Sequence, residues 1–359
     1  MKETKQDDKT VYKNIELWQI LRAICIMCVV AIHSRAGISA NYNKIEKGYY
    51  LIVRNLINFP VPVFFFISGY FSSISLKKYG DVHSRSSGGY FVRRIIRLGI
   101  PYLIWSFVYL LPEFVNHSVN TKTIVMKLIL GKAAAPFYYI IVLTFFTLLT
   151  PFLLKAVKSR YKWIPLWISI LWFLALYITQ LAGINVWDYI HYTPVWLPFY
   201  YMGLYVHVWK TEVKMPVSKI ILSVCIAFVF EIIENMWIYI CYGNANMAYG
   251  MIRLGGFLYA GSICVLAYKK CSDYDTVQRG SSSWIESGLI QIGNISYGIF
   301  YIHYLIIMII SKVLNFVNIT GLFLCRGLEI CGGMVISYMV IYVVKYVIGD
   351  KWRRILLGF

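Results

Sequence analysis

Several side chains able to do chemistry stand inside stretches that are otherwise apolar enough to exclude water. In LRAICIMCVVAIHS, residues 21–34, Arg22 and His33 lie eleven positions apart. Eleven steps of 100° make three turns plus about 20°, so on a helix both occupy one face, with about 16 Å of rise between them. An imidazole takes and returns a proton near neutral pH. With a cation low on the same face, it suggests a shaft whose reaction site lies at the outer mouth. The same spacing also suits an arginine reaching to the inner interface and a histidine resting at the outer one. Spacing alone leaves both readings open.

Three further groups have the same character. Glu231 and Glu234 lie deep in AFVFEIIENMWIY and share a helical patch with Asn235. Carboxylates in an apolar span need partners, and Arg253, Arg326 and His33 are the candidates. In YFVRRIIRLGIPYLIW, residues 90–105, Arg94 and Arg97 are three apart and project on neighbouring helix faces. Such a pair can grip phosphates bidentately or stop a helix from sliding. Ser296 and His303, in IGNISYGIFYIHYLI, are seven apart and again share a face, either as a working stripe or as a polar seal between helices.

The elements that must position these groups are membrane helices. The chain has 359 residues, is 59% hydrophobic and carries a net charge of +19. Apolar segments of spanning length recur from end to end. Ten are expected: 15–37, 50–76, 90–112, 136–157, 162–182, 194–210, 216–241, 250–269, 288–313 and 320–347. Backbone polar groups in lipid must be satisfied within each segment, which makes them helices, and the alternating short strands of a barrel are not visible. Kinks are expected at Pro60, Pro62 and Pro198. The fold class is therefore all-α, a polytopic membrane protein of about ten transmembrane helices.

Lys and Arg crowd the segments that an inward-facing N-terminus places inside, with only the 113–135 loop notably basic outside. Both termini are thus expected in the cytoplasm, with tails at 1–15 and 349–359 flanking one membrane domain at 16–348. Segment one is expected to be retained rather than cleaved, because its apolar run is too long for a signal-peptide core and no small-residue cleavage site follows. Stretches 84–89 and 272–283 are read as cytoplasmic loops. The basic excess reports membrane orientation, so no nucleic-acid partner is expected. Most of the 30 Tyr, 21 Phe and 11 Trp are read as interfacial belt. Cys25 and Cys28 form a CxxC in mid-helix, where packing is the expected role. No His/Cys cluster has metal-ligand spacing, and there is no P-loop or GxGxxG.

In this order along the chain, the motifs resemble those of the membrane acyltransferase-3 family, which includes bacterial surface-polysaccharide O-acetyltransferases. The family's arginine, ten residues, then histidine is matched by Arg22 and His33. Its Phe-Phe and Ser-Gly-[Tyr/Phe] pattern is matched across Phe65–Tyr70. Its Arg-x-x-Arg followed by a proline is matched by Arg94, Arg97 and Pro101. Its late stripe is matched by Ser296, Tyr297, Phe300 and His303. PFYYIIVL at 136–143 is similar to a Trp-[Phe/Tyr] segment, with Tyr138 where a tryptophan is common. LPFYYMGLYV at 197–206 is similar to its aromatic-Gly helix.

The resemblance implies transfer of an acyl group, most commonly acetyl, from cytoplasmic acyl-CoA to a hydroxyl of a cell-envelope polysaccharide or lipid-linked glycan. It implies acetyl-CoA as co-substrate, no metal, and a place among the lipids of a bacterial cytoplasmic membrane. On that footing His33 is the base, or a transient acyl carrier. Arg22 lies along the acyl-CoA path, and Arg94 and Arg97 hold its phosphates. Ser296, His303 and Tyr138 line the substrate channel. Glu231 and Glu234 join the catalytic set on their polarity alone. No fused outer esterase-like domain is expected. A transporter or exporter of a glycan or small metabolite is the competing reading. Ten spans with buried charges suit it, but no paired interrupted helices or inverted repeat is visible.

Overall fold

The computed structural model describes residues 2–35, 43–78, 86–116, 120–184, 186, 194–243, 245–248, 250, 252–273 and 283–358. Among them there is helix and no strand. Seven stretches are long and apolar enough to cross a membrane: Ile15–His33, Lys44–Ser75, Arg94–Val115, Ala135–Lys158, Ile164–Leu181, Trp284–Phe316 and Leu322–Val347. The other three expected segments, 194–210, 216–241 and 250–269, fold as helices of 13, 26 and 20 residues.

By contact clustering the chain forms two compact units. The first is Met1–Phe64, Thr211–Ser296 and Gly321–Arg326; the second is Phe65–Lys210, Tyr297–Thr320 and Gly327–Phe359. To the first unit belong α1 (Lys2–His33), α2 (Lys44–Leu56), the start of α3 (Pro60–Lys78) and three later helices. To the second belong the rest of α3, α4 (Ser86–Val115), α5 (Thr121–Ile129), α6 (Tyr138–Lys158), α7 (Ile164–Leu181) and α8 (Leu197–Trp209). The helices α9 (Val217–Tyr242), the single turn α10 (Ala245–Ala248) and α11 (Leu254–Asp273) return to the first unit. Two long helices follow, α12 (Trp284–Phe316) and α13 (Leu322–Val343), and α14 (Gly349–Leu357) ends the chain after a π turn over Val344–Ile348.

The prolines do more than kink. Segment two is broken into α2 and α3 at residues 57–59, and Pro60 is the first residue of α3. Proline lacks the N–H that a first turn leaves unsatisfied in any case, and it keeps the preceding residue out of helical conformation. Pro198 likewise sits in the first turn of α8, after a 3₁₀ turn over Pro194–Trp196. Prolines that looked like mid-span kinks therefore start helices. Ser86–Gly89, expected in a loop, belong to the first turn of α4, while most of 272–283 lies outside the described residues. Cys25 and Cys28 are not joined in a disulfide.

In the second unit α3 and α8 meet backbone to backbone. A Cβ on Gly69 would lie 2.0 Å from the Tyr200 carbonyl oxygen, and one on Gly203 would lie 2.1 Å from that of Phe66. Small residues permit this approach where no hydrophobic effect drives helices together. Around the seam Phe65 packs on Tyr139, Phe146 and Trp196, and the Thr150 and Tyr200 hydroxyls bond at 2.7 Å. At the basic end of α6 and α8, Lys162 Nζ lies 4.5 Å from the Trp209 ring centre and 5.7 Å from that of Tyr205.

Gly69→Ala and Gly203→Ala should each lower the thermal unfolding midpoint in detergent, by an amount equivalent to about 1–3 kcal/mol. Gly99→Ala, whose Cβ would meet nothing nearer than 4.0 Å, should not. Equal midpoints for all three variants would contradict the close packing of α3 on α8.

Candidate functional site

His33 is the last residue of α1 and is half-buried. The helix stops there because Arg35 takes a left-handed backbone with φ of 45°, and the Ser34 hydroxyl turns back to the Val30 carbonyl at 2.9 Å. The last-turn carbonyls of a helix have no intrahelical partner. That of Ala31 accepts a bond from Arg326 Nη2 at 3.2 Å. Arg326 is itself 2% exposed and is flanked by the rings of Tyr49 and Tyr50.

Arg22 is half-buried lower on α1 and points away from His33. Its Nη1 reaches Gln19 Oε1, 3.5 Å away and one turn toward the N-terminus, as helical side chains lean. Nearby, α1 touches α12 closely enough that a Cβ on Gly293 would fall 2.0 Å from the Gln19 carbonyl oxygen.

The two carboxylates of α9 have separate fates. Both oxygens of Glu234 accept backbone N–H groups from the start of α11, Leu254 N at 3.0 Å and Gly255 N at 2.6 Å. It does for another helix what an N-cap residue does for its own, and its charge complements the positive end of the α11 dipole. Glu231 is wholly buried and faces Arg253, 1% exposed, with Nη2 3.8 Å from its Oε1. Asn58 and the Arg54 guanidinium stand beside it. Asn235 donates to Asn55 Oδ1, and Tyr259 donates to the Leu56 carbonyl at 3.1 Å. Of the three partners the sequence offers the carboxylates, Arg253 takes Glu231, and Arg326 serves α1 instead. Gly255 makes this possible, since a Cβ there would lie 2.4 Å from Glu231 Cα.

Arg94 and Arg97 belong to the second unit. Arg94 is half-buried and donates through Nη2 to the Ser72 hydroxyl at 3.2 Å. Arg97 is exposed, and its Nε donates to the Gly358 carbonyl at 2.6 Å. Trp105 Nε1 holds the Leu356 carbonyl at 2.9 Å. The C-terminal segment is thereby docked along α4, with α14 as a helix where the sequence suggests only a tail. Tyr297 lies in the field of both guanidiniums, and its hydroxyl accepts from Tyr301 at 2.9 Å.

The remaining expected site residues turn inward. Ser296 donates to the Gly293 carbonyl of its own helix at 2.8 Å. His303 is fully buried, with Nδ1 3.0 Å from the Ile299 carbonyl oxygen. Tyr138, 5% exposed, opens α6 with its backbone against Gly131, which has a left-handed φ of 64°. Sequence reasoning passed over Arg326 and Arg253 except as possible counter-ions, although each is a lone cation beside apolar sequence. It had no signal for Gly358.

Glu234→Ala removes the acceptor of two buried N–H groups at the start of α11 and should destabilise the protein by roughly 2 kcal/mol or more. Glu234→Gln, which keeps one oxygen, should fall between it and the wild type. Thermal unfolding in detergent would measure this, and an unchanged midpoint for Glu234→Ala would disprove the capping role.

A family model described as an acyltransferase domain, Acyl_transf_3, matches residues 16–346. No curated protein and no solved structure matches the chain. The matched stretch takes in α1 from Glu16, both carboxylates of α9, the arginines of α4 and all of α13. With its all-helical fold and seven stretches suited to crossing a bilayer, the chain belongs to the acyltransferase-3 family and is a membrane acyltransferase.

Proposed function

We propose that the protein moves an acetyl group from cytoplasmic acetyl-CoA to a hydroxyl of a cell-envelope polysaccharide or lipid-linked glycan, in the cytoplasmic membrane of a bacterium. The observation that carries this reading is the placement of His33 at the very end of α1, in a chain of acyltransferase family. A histidine at a helix end, in a turn tied down by Arg326 and Ser34, has the fixed backbone that a general base requires.

In this reading neutral His33 takes the proton of the acceptor hydroxyl as its oxygen attacks the thioester carbonyl. A C–O bond forms and the C–S bond breaks. The coenzyme departs as a thiol, with the proton that His33 returns. Arg94 and Arg97 grip the coenzyme phosphates on the cytoplasmic side, and Arg22 lies along the path of its arm. Glu231, supported by Arg253, receives acceptor hydroxyls, and Glu234 supports that region by holding α11. Ser296, His303 and Tyr138 shape the channel.

Free CoA release from acetyl-CoA, with and without envelope glycan, tests this on purified protein in nanodiscs. Turnover should fall by about 10²–10⁴-fold in His33→Ala. In Arg97→Ala the acetyl-CoA KM should rise by roughly tenfold or more, the loss of one charge-assisted hydrogen bond. Truncation before Gly349 should change KM in the same direction, because Arg97 then loses the Gly358 carbonyl. Turnover untouched by His33→Ala, or well-folded wild type that neither binds nor consumes acetyl-CoA, would sink the proposal and turn attention to transport.

A further inference from the structure

The turn of α4 that carries Arg94 and Arg97 is covered by two other stretches of the second unit, α12 and the C-terminal segment. The Tyr301 hydroxyl donates to the Leu98 carbonyl at 3.3 Å, one residue past Arg97. Gly358 lies between α4 and α12. Its carbonyl holds Arg97 Nε at 2.6 Å. A Cβ there would fall 2.9 Å from the Arg97 carbonyl oxygen and 2.6 Å from Tyr297 Cε1. With a left-handed φ of 73° as well, the position calls for glycine. Cε1 is the ring carbon next to the one that bears the hydroxyl, so the phenol of Tyr297 and the guanidinium of Arg97 converge on one residue.

Two donors at this place are not committed. Arg94 gives Nη2 to Ser72, and its buried Nε has no acceptor among the described residues. The Tyr297 hydroxyl accepts from Tyr301 at 2.9 Å. A hydroxyl has one proton besides its lone pairs, so this bond leaves Tyr297 a proton to donate, and among the described residues nothing accepts it. The ring is held in place. Phe300 lies nearly parallel to it with centres 6.4 Å apart, Tyr301 stands edge-on at 5.0 Å, and Gly358 bars one edge. Both guanidiniums act on the hydroxyl electrostatically. Two cations and an oriented O–H, supplied by two helices, suit a multiply charged group with several acceptor oxygens, which is what a phosphate is.

We propose that Tyr297 is a third ligand of the coenzyme phosphates, donating its O–H to a phosphoryl oxygen gripped by Arg94 and Arg97, an inference that rests on the acetyl-CoA reading above. Gly358 is a positioning residue for two of the three ligands, since its carbonyl aims Arg97 and its backbone packs on the edge of Tyr297. No bond is made or broken here. The contact is with the end of the donor that does not react, so it is equally strong before and in the transition state and acts on KM rather than kcat. The same donors would meet the phosphate of a lipid headgroup, and the test separates the two sources.

Wild type, Tyr297→Phe and Gly358→Ala are compared in nanodiscs with two acyl donors: acetyl-CoA, and acetyl-pantetheine, which has the same thioester and arm without any phosphate. Tyr297→Phe removes one oxygen and keeps the packed ring, so its thermal unfolding midpoint should stay near that of wild type. Its acetyl-CoA KM should rise about tenfold at unchanged kcat, while kcat/KM for acetyl-pantetheine stays as in wild type. Gly358→Ala, which pushes on both Tyr297 and Arg97, should show the same selective loss, and it decides the matter if Tyr297→Phe fails to fold. Equal losses with both donors would make Tyr297 a wall of the channel and overturn the proposal. An unchanged acetyl-CoA KM would overturn it too. If the Tyr297→Phe midpoint then fell in phospholipid nanodiscs but not in maltoside detergent, the contact would belong to a lipid headgroup. Wild type that binds no acetyl-CoA would instead remove the coenzyme reading itself, and this inference with it.

Discussion

Where α9 meets α11, the two backbone N–H groups that open α11 have no intrahelical acceptor and are satisfied from the neighbouring helix. Glu234 is that acceptor. The contact demands that two helices approach to backbone distance, which only glycine at position 255 permits. Once α11 begins there, the residue before it, Arg253, is delivered to the interior opposite Glu231. A capping bond thus determines where a buried cation lies, and the cation determines which carboxylate is compensated. The remaining polar contacts of this region, Asn235 to Asn55 and Tyr259 to the Leu56 carbonyl, tie α2 to the same pair of helices.

The second unit solves the same problem with different chemistry. Between α3 and α8 the backbones touch through Gly69 and Gly203, and the volume around them is filled by aromatic rings rather than by ion pairs. Polar tips of these rings find carbonyls, as when Tyr201 donates to Lys162 at 2.6 Å and Tyr109 to Tyr301 at 2.9 Å. Among the described residues no buried tyrosine hydroxyl is left without a partner.

The arginines show how context divides one residue type into several roles. Arg253 faces a carboxylate, and Arg94 a hydroxyl. Arg97 and Arg326 each spend one donor on a carbonyl, at the docked C-terminal segment and at the end of α1 respectively. A guanidinium has five donors in a rigid fork, so an arginine can be held by one and act through others.

Much of this was legible in the residue order. Apolar runs of spanning length fix an all-helical membrane fold, because hydrocarbon offers the backbone no other partner. Arg22 and His33 share a face because the helical repeat requires it. The two carboxylates of α9 had to have partners because isolated charge in such a run is too costly. Tertiary structure decided which partner each received. Glu231 and Glu234 are indistinguishable by pattern, yet one meets a guanidinium and the other two backbone amides, because their side chains meet different parts of α11. It also decided that Pro60 begins a helix rather than bending one, that Arg97 rests on Gly358, 261 positions away, and that Arg326 ties the turn bearing His33. Helical periodicity orders neighbours within one element. Contacts between elements distant in sequence depend on how closely two backbones approach, and that is set by packing rather than by spacing.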